Sequence, residues 1–284
     1  MDPLNTLRVS LLCALALMPA LSATTVGASA GLGIRAGYDS DPDGGSNQER
    51  DDTWVSMTVG ESLTQETSGP LTLSLNLALG ATAYARLTDL DRISLVVTPA
   101  IDYIISPRVA ATMALVTEGQ LVEDGSRSAW GWGGNLRLRE LLSPRVNLTE
   151  YLSYRDLNAR NAEHSGTKAA IGFFLRTFPG ERWMLGVGGE YAHGDFLVGD
   201  AQGPGVAGMG TGSHKSQRYS QNPVPKDEQT FVGQDEDRVS GSLVLDYSWS
   251  ETLSTGAEYI YTRVNGEDGG ENQHAVIVST TYGF

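Results

Sequence analysis

From Leu71 to Ala85 the chain reads LTLSLNLALGATAYA, with an apolar residue at every odd position: Leu71, Leu73, Leu75, Leu77, Leu79, Ala81, Ala83 and Ala85. The even positions are mainly small or polar, namely Thr72, Ser74, Asn76, Ala78, Gly80, Thr82 and Tyr84. Successive side chains of a strand point to opposite faces, so this rhythm predicts one apolar wall backed by a hydrophilic one. Strands of soluble proteins run about five or six residues, whereas a tilted strand crossing a bilayer needs about nine to eleven plus its rims. The length of the alternation therefore predicts a membrane-crossing strand.

The same alternation marks twelve segments: 30–38, 53–64, 71–86, 93–104, 108–117, 129–140, 145–155, 167–178, 182–192, 239–249, 253–263 and 273–284. Short connections (65–70, 105–108, 141–145, 178–182, 249–254) alternate with long ones (39–52, 87–92, 118–128, 156–166, 193–238, 264–272). That is the habit of outer-membrane barrels, with tight turns on the periplasmic side and longer loops outside. IISPRVAATMAL (104–115) and LLSPRVNLTEYL (141–152) echo each other as a turn followed by an outgoing strand. No stretch after the N-terminus approaches eighteen consecutive apolar residues. Backbone groups facing lipid must all be paired, so the segments have to close on themselves. The expected fold is all-β: a single closed antiparallel transmembrane barrel of about twelve strands, with both termini periplasmic.

Ahead of the strands, Arg8 and the apolar run Leu11–Leu21, followed by Ser22 and Ala23, have the layout of a secretory signal. We read residues 1–23 as that signal, with cleavage as late as 28, and 29–284 as the barrel with its long extracellular loop 193–238. Cys13 is the sole cysteine and lies within the signal, so no disulfide or cysteine-ligated metal holds the mature chain.

The last segment, Gln273 to Phe284, ends on an aromatic, with Tyr282 and Val278 on one face. Here the chain resembles bacterial outer-membrane β-barrel proteins of the porin-like kind. That resemblance implies residence in the bacterial outer membrane, with Tyr282 and Phe284 as the signal read by the barrel-assembly machinery. It also implies outer-membrane lipid and lipopolysaccharide as surroundings. The segment opening Gly37-Tyr-Asp-Ser-Asp-Pro42 is similar to barrel proteins that accompany exopolysaccharide systems.

Net charge is −14, and there is no basic stripe to neutralise phosphates, which excludes nucleic acid as a partner. Parity distributes the charge unevenly. The inward face receives Arg35, Arg86, Arg137, Arg139, Arg155, Lys168 and Arg176 against Asp102, Glu190, Asp246 and Glu258, a net excess of three positive charges. The long loops are acidic. A basic lining biases a pore toward anions, so the first expectation is a porin-like channel, not an enzyme, for small hydrophilic and anionic solutes. In the competing account these arginines pair with the carboxylates and fill a narrow lumen, leaving a surface scaffold or an accessory barrel of polysaccharide export. Twelve strands lie between the filled eight-stranded barrel and the wide sixteen-stranded one, so strand count does not choose.

Three smaller signals remain. Asp39, Asp41 and Asp43 have the spacing of a calcium loop, but position twelve is Arg50 where an EF-hand needs Glu. We carry them as a candidate calcium site and expect no other cofactor. His274, on the outward face near a rim, is the one residue that suggests a lipid-modifying enzyme, and that reading needs a serine or threonine hydroxyl beside it. Finally, Pro99 predicts a bulge in the fourth segment, and Glu150 falls on the outward parity, which a bulge near Tyr151 or a rim position would relieve.

Overall fold

The computed structural model describes residues 25–40, 51–161, 164–198, 230–266 and 269–284. They form twelve strands: β1 (Thr25–Asp39), β2 (Asp52–Glu66), β3 (Leu71–Tyr84), β4 (Arg92–Ser106), β5 (Val109–Val122) and β6 (Ala129–Ser143). These are followed by β7 (Val146–Ala159), β8 (Gly166–Thr177), β9 (Trp183–Val198), β10 (Thr230–Ser248), β11 (Leu253–Gly266) and β12 (Gly269–Gly283). Each strand pairs antiparallel with its sequence neighbours, and β12 returns to β1, so the sheet is a closed barrel. At that seam Ala30 and Phe284 exchange backbone bonds, with Ala30 N–H to Phe284 O at 3.3 Å and Phe284 N–H to Ala30 O at 3.0 Å.

The strands are strongly inclined. Following paired residues from Ala30 through Glu61, Leu77, Val97, Thr117, Trp132 and Asp156 to Thr167 climbs from the short-turn end of β1 to the long-loop end of β8. Twelve strands about 4.8 Å apart, tilted by roughly 40°, make a wall with a backbone radius of about 12 Å.

Alternation assigns the faces as the sequence suggested. In β3, Leu79, Ala81 and Ala83 are exposed on the outside, while Ser74, Asn76, Thr82 and Tyr84 are buried inside. Leu75 and Val97 share the outward parity but are buried against Leu63 and Leu77. Elsewhere the outer face is a belt of exposed apolar side chains, including Val55, Met57, Met113, Leu136, Leu152, Ile171, Val187, Leu243 and Val278. Aromatic clusters bound the belt. At the short-turn end, Tyr247 meets Trp183 in a tilted contact and Trp249 edge-to-face, with centroids 4.7 and 4.8 Å apart. Toward the long loops, Trp132 meets Tyr154, and His274 lies between Tyr259 and Tyr261. This is a wall made to be immersed in a bilayer.

Several expectations change. The β9–β10 hairpin continues to Val198 and resumes at Thr230, so strand occupies both ends of what the sequence marked as loop 193–238; its central part lies outside the described residues. The polar residues of this extension hid its strand character. At Pro99 there is no bulge: β4–β5 pairing lapses and resumes in unchanged register, Val97 with Thr117 and Ala100 with Ala114. The shift falls instead at Ile104/Ser106, beside the turn. Nor does a bulge rescue Glu150. Leu138, Glu150 and Phe173 pair in continuous register, and Glu150 stays exposed on the outer face. Glu61 occupies a similar outward position on β2, which the sequence reading overlooked.

Residues 1–23 lie outside the described residues. Cleavage after Ala23 leaves β1 whole, whereas cleavage after Ala28 removes Thr25–Ala28, which pair with Leu63–Glu66.

Candidate functional site

The lumen has two unlike walls. On the β11–β12–β1–β3 side, near the long loops, it holds an apolar cluster, with Thr262, Gln273 and Asp39 buried on the same strands. Loop 85–91 folds inward over a short 3-10 turn (Thr88–Leu90) and drives Leu90, only 1% exposed, against Trp54, Tyr84, Ile260, Ala275 and Ile277, with Leu87 alongside. The Trp54 indole lies flat over Gly37 of β1, where a Cβ would sit 2.5 Å from the ring. Two carboxylates fix the loop. Asp52 accepts backbone N–H bonds from Thr53 (2.7 Å), Arg86 (3.1 Å) and Leu87 (2.8 Å). Asp91 accepts from Tyr84 N–H at 2.7 Å. The sequence pattern puts Tyr84 on the hydrophilic face of its strand and does not single out Trp54, because parity carries no information about which loop turns inward.

The opposite wall, β4 to β10, is charged. Its upper part holds acid–base pairs: Arg155 with Glu118 at 3.2 Å, Lys168 with Glu190 at 3.8 Å, and Arg238 with Glu236 at 3.7 Å. Tyr151 donates its hydroxyl to Glu190 at 2.5 Å. Nearer the short turns, Arg176 lies within electrostatic range of Arg139, Arg137 and Asp246. The Arg176 guanidinium sits 5.2 Å from the Phe174 ring centroid, a cation–π contact. Asp102 accepts from Thr112 at 2.5 Å on the row that contains Arg137.

Large inward side chains on this wall lie sideways over glycines instead of pointing at the axis. A Cβ on Gly186 would sit 2.2 Å from Phe174, one on Gly172 2.4 Å from Tyr151, and one on Gly133 2.9 Å from Arg155 Cγ. Glycine at these inward positions is thus a packing device that lays bulk along the wall.

Of the residues that sequence parity placed inside, Arg35, Arg137, Arg139, Arg155, Lys168, Arg176, Asp102, Glu190, Asp246 and Glu258 fall on inward positions of their strands. Arg86 does not. It lies beyond the end of β3, its side chain is 70% exposed, and it bonds Asp51 at 3.1 Å. Arg92, Glu118, Glu236 and Arg238 are inward residues that sequence reading missed, since they sit at strand ends whose boundaries it drew too short. With Asp39 and Asp52 also buried at the long-loop end, acids and bases nearly balance and the expected excess of three positive charges is not reached. Positive charge is instead gathered locally, around Arg137, Arg139 and Arg176.

Asp39 is buried at the end of β1, while Asp41 and Asp43 lie outside the described residues. The His274 ring bonds the Tyr259 hydroxyl at 2.8 Å, and it is the His274 backbone N–H, not the ring, that meets Ser40 Oγ at 2.9 Å. Tyr282 and Phe284 make a tilted contact at the seam with centroids 6.1 Å apart.

Neither the family models nor the curated proteins contain a match to this sequence. Solved structures do match in fold. An outer-membrane channel from Pseudomonas putida F1 superposes with a TM-score of 0.53 at 11% identity, over 94% of this chain and 98% of that one. The chain has the fold of a bacterial outer-membrane channel. The NanC porin aligns at 8% identity with a TM-score of 0.49, over 88% of this chain and 98% of that one. The KdgM porin, solved with disordered oligogalacturonate, aligns at 11% with a TM-score of 0.49, over 89% and 99%. The outer membrane is where barrels of this fold reside, and the apolar belt fits it.

Proposed function

We propose that this chain is a porin-like channel of the bacterial outer membrane for small hydrophilic, anionic solutes, and that the solute route is off-centre. With the β11–β3 side occupied by loop 85–91 and its apolar partners, the route follows the β4–β10 wall. The observation that carries the reading is the grouping of Arg137 and Arg139 within electrostatic range of Arg176 on that wall, with the Asp246 carboxylate acting on Arg176 as well. Guanidinium groups lining a pore favour anions. Orientation follows outer-membrane habit, with the long loops outside and the short turns and both termini in the periplasm. Assembly through the aromatic C-terminal strand, and contact with lipopolysaccharide outside, belong to the same reading.

Planar-bilayer recordings under a salt gradient test it. The native protein is expected to show a reversal potential favouring chloride, and R137Q/R139Q/R176Q to lose most of that preference while still conducting. A native barrel that inserts but never conducts overturns the channel.

A second reading, a non-conducting scaffold or accessory barrel of polysaccharide export, draws on the acid–base pairs Arg155–Glu118 and Lys168–Glu190 and on the apolar filling around Leu90. It predicts silence in the same recordings. We put no catalytic role on His274, because its ring is engaged by tyrosine.

A further inference from the structure

Three consecutive hairpins place an arginine at the same point of their short turns. Arg108 follows β4, Arg145 follows β6 and Arg182 precedes β9, and all three are exposed. Their positions are fixed by the backbone. Leu141 N–H donates to Arg108 O at 2.7 Å, Phe178 N–H to Arg145 O at 2.9 Å, and Ser248 N–H to Arg182 O at 2.8 Å. Each arginine is thereby tied to the following hairpin. In the two Ser-Pro-Arg turns, the serine hydroxyl also accepts the arginine N–H, Ser106 to Arg108 and Ser143 to Arg145, each at 3.3 Å. The result is a row of cations two strands apart, roughly 10 to 13 Å for tilted strands.

An exposed apolar side chain accompanies each arginine on the outer face. Exposed Tyr103 and Ile105 precede Arg108 by five and three residues, exposed Leu142 precedes Arg145 by three, and exposed Trp183 follows Arg182 directly, with Trp249 in the same aromatic cluster. The Arg182 guanidinium reaches the hydroxyl of Tyr247, within the outer aromatic cluster, at 3.4 Å. That contact aims it at the lipid interface rather than into the lumen. Aromatic rings at this depth lie at headgroup level, and a guanidinium beside them meets phosphate. Glu140 and Glu181 are the acids nearest these arginines in the sequence, and Glu181 lies within electrostatic range of Arg182.

We propose that Arg108, Arg145 and Arg182 form a binding row for the phosphates of anionic phospholipids in the leaflet at the short-turn side. The row selects lipid neighbours along the β4–β9 sector and fixes the depth of the barrel there. It goes beyond the channel reading and does not depend on conduction. The occupant is a lipid because the apolar partners of each arginine require an acyl region beside the phosphate.

The test uses the full chain in vesicles containing brominated phosphatidylglycerol or brominated phosphatidylcholine at equal mole fraction, with tryptophan quenching as readout. Trp183 and Trp249 lie beside Arg182 and report on that rim. The native protein is expected to enrich the anionic lipid, by about fivefold per site for one arginine at a charged interface. R108Q/R145Q/R182Q should bring the two lipids to equal quenching, and R108K/R145K/R182K should restore much of the difference. Equal quenching in the native protein overturns the row, as does an undiminished preference in the glutamine variant. Loss of the preference on adding millimolar inorganic phosphate would mean a soluble-anion site and also overturns it.

Discussion

Replacing Leu90 by alanine should open the apolar side of the lumen. Leu90 is 1% exposed and packs on Trp54, Tyr84, Ile260, Ala275 and Ile277, so it anchors loop 85–91 inside the barrel. A Leu-to-Ala change at such a site costs about 2–5 kcal/mol. Little of this should reach the barrel wall, because the loop joins the neighbouring backbone only near its ends, through Ala85 N–H to Thr53 O at 2.9 Å, Glu123 N–H to Asp91 O at 2.8 Å and Asp124 N–H to Asp89 O at 3.1 Å. The cost therefore falls on the closed state of the loop, and about 3 kcal/mol raises its open population roughly a hundredfold. Two readouts follow. Amide exchange of Arg86 and Leu87, whose N–H groups are held by Asp52, should accelerate by up to that factor. Single-channel recordings should show larger or more frequent openings. Asp52→Asn, which weakens the three N–H bonds to the carboxylate, should move both in the same direction. Unchanged exchange refutes the anchoring argument. Faster exchange with unaltered conductance refutes the claim that the loop narrows the path.

Three further outcomes can be checked. Gly186→Ala should push the Phe174 ring off the wall, since a Cβ would meet it at 2.2 Å, and lower conductance while the barrel stays folded. Glu150→Leu should stabilise the protein by about 1–2 kcal/mol in bilayer unfolding measurements, because a lipid-facing charge is removed and carboxylates cost somewhat less than lysine or arginine there. Deleting Phe284 removes the reciprocal bonds with Ala30 at the seam, so less folded barrel should appear in heat-modifiability gels of membrane fractions.

How much of this was legible beforehand can be judged from individual residues. The two-residue rhythm of Leu71 to Ala85 was enough to place Leu79 outside and Ser74 inside, since strand alternation is a local property of the backbone. It also located all twelve strands, and it correctly put Arg137, Arg139 and Arg176 on the inner face. Polar strand ends were missed because alternation fades where both faces meet water. Alternation therefore carries Arg86 inside, where the structure does not place it, and passes over Glu118, Glu236, Arg92 and Arg238.

The sequence alone determined a closed barrel, because lipid leaves no backbone group unpaired and twelve alternating segments admit no other arrangement. Only the tertiary structure decided what the lumen contains. Leu90 reaches Ile260 and Ile277 across the closed seam, contacts between residues 170 and 187 positions apart that no local pattern encodes. Arg176 comes near Arg139 and Asp246 only because tilt and register bring β6, β8 and β10 to one level. Face is fixed by parity, but which charges share a depth is fixed by the stagger of the whole sheet.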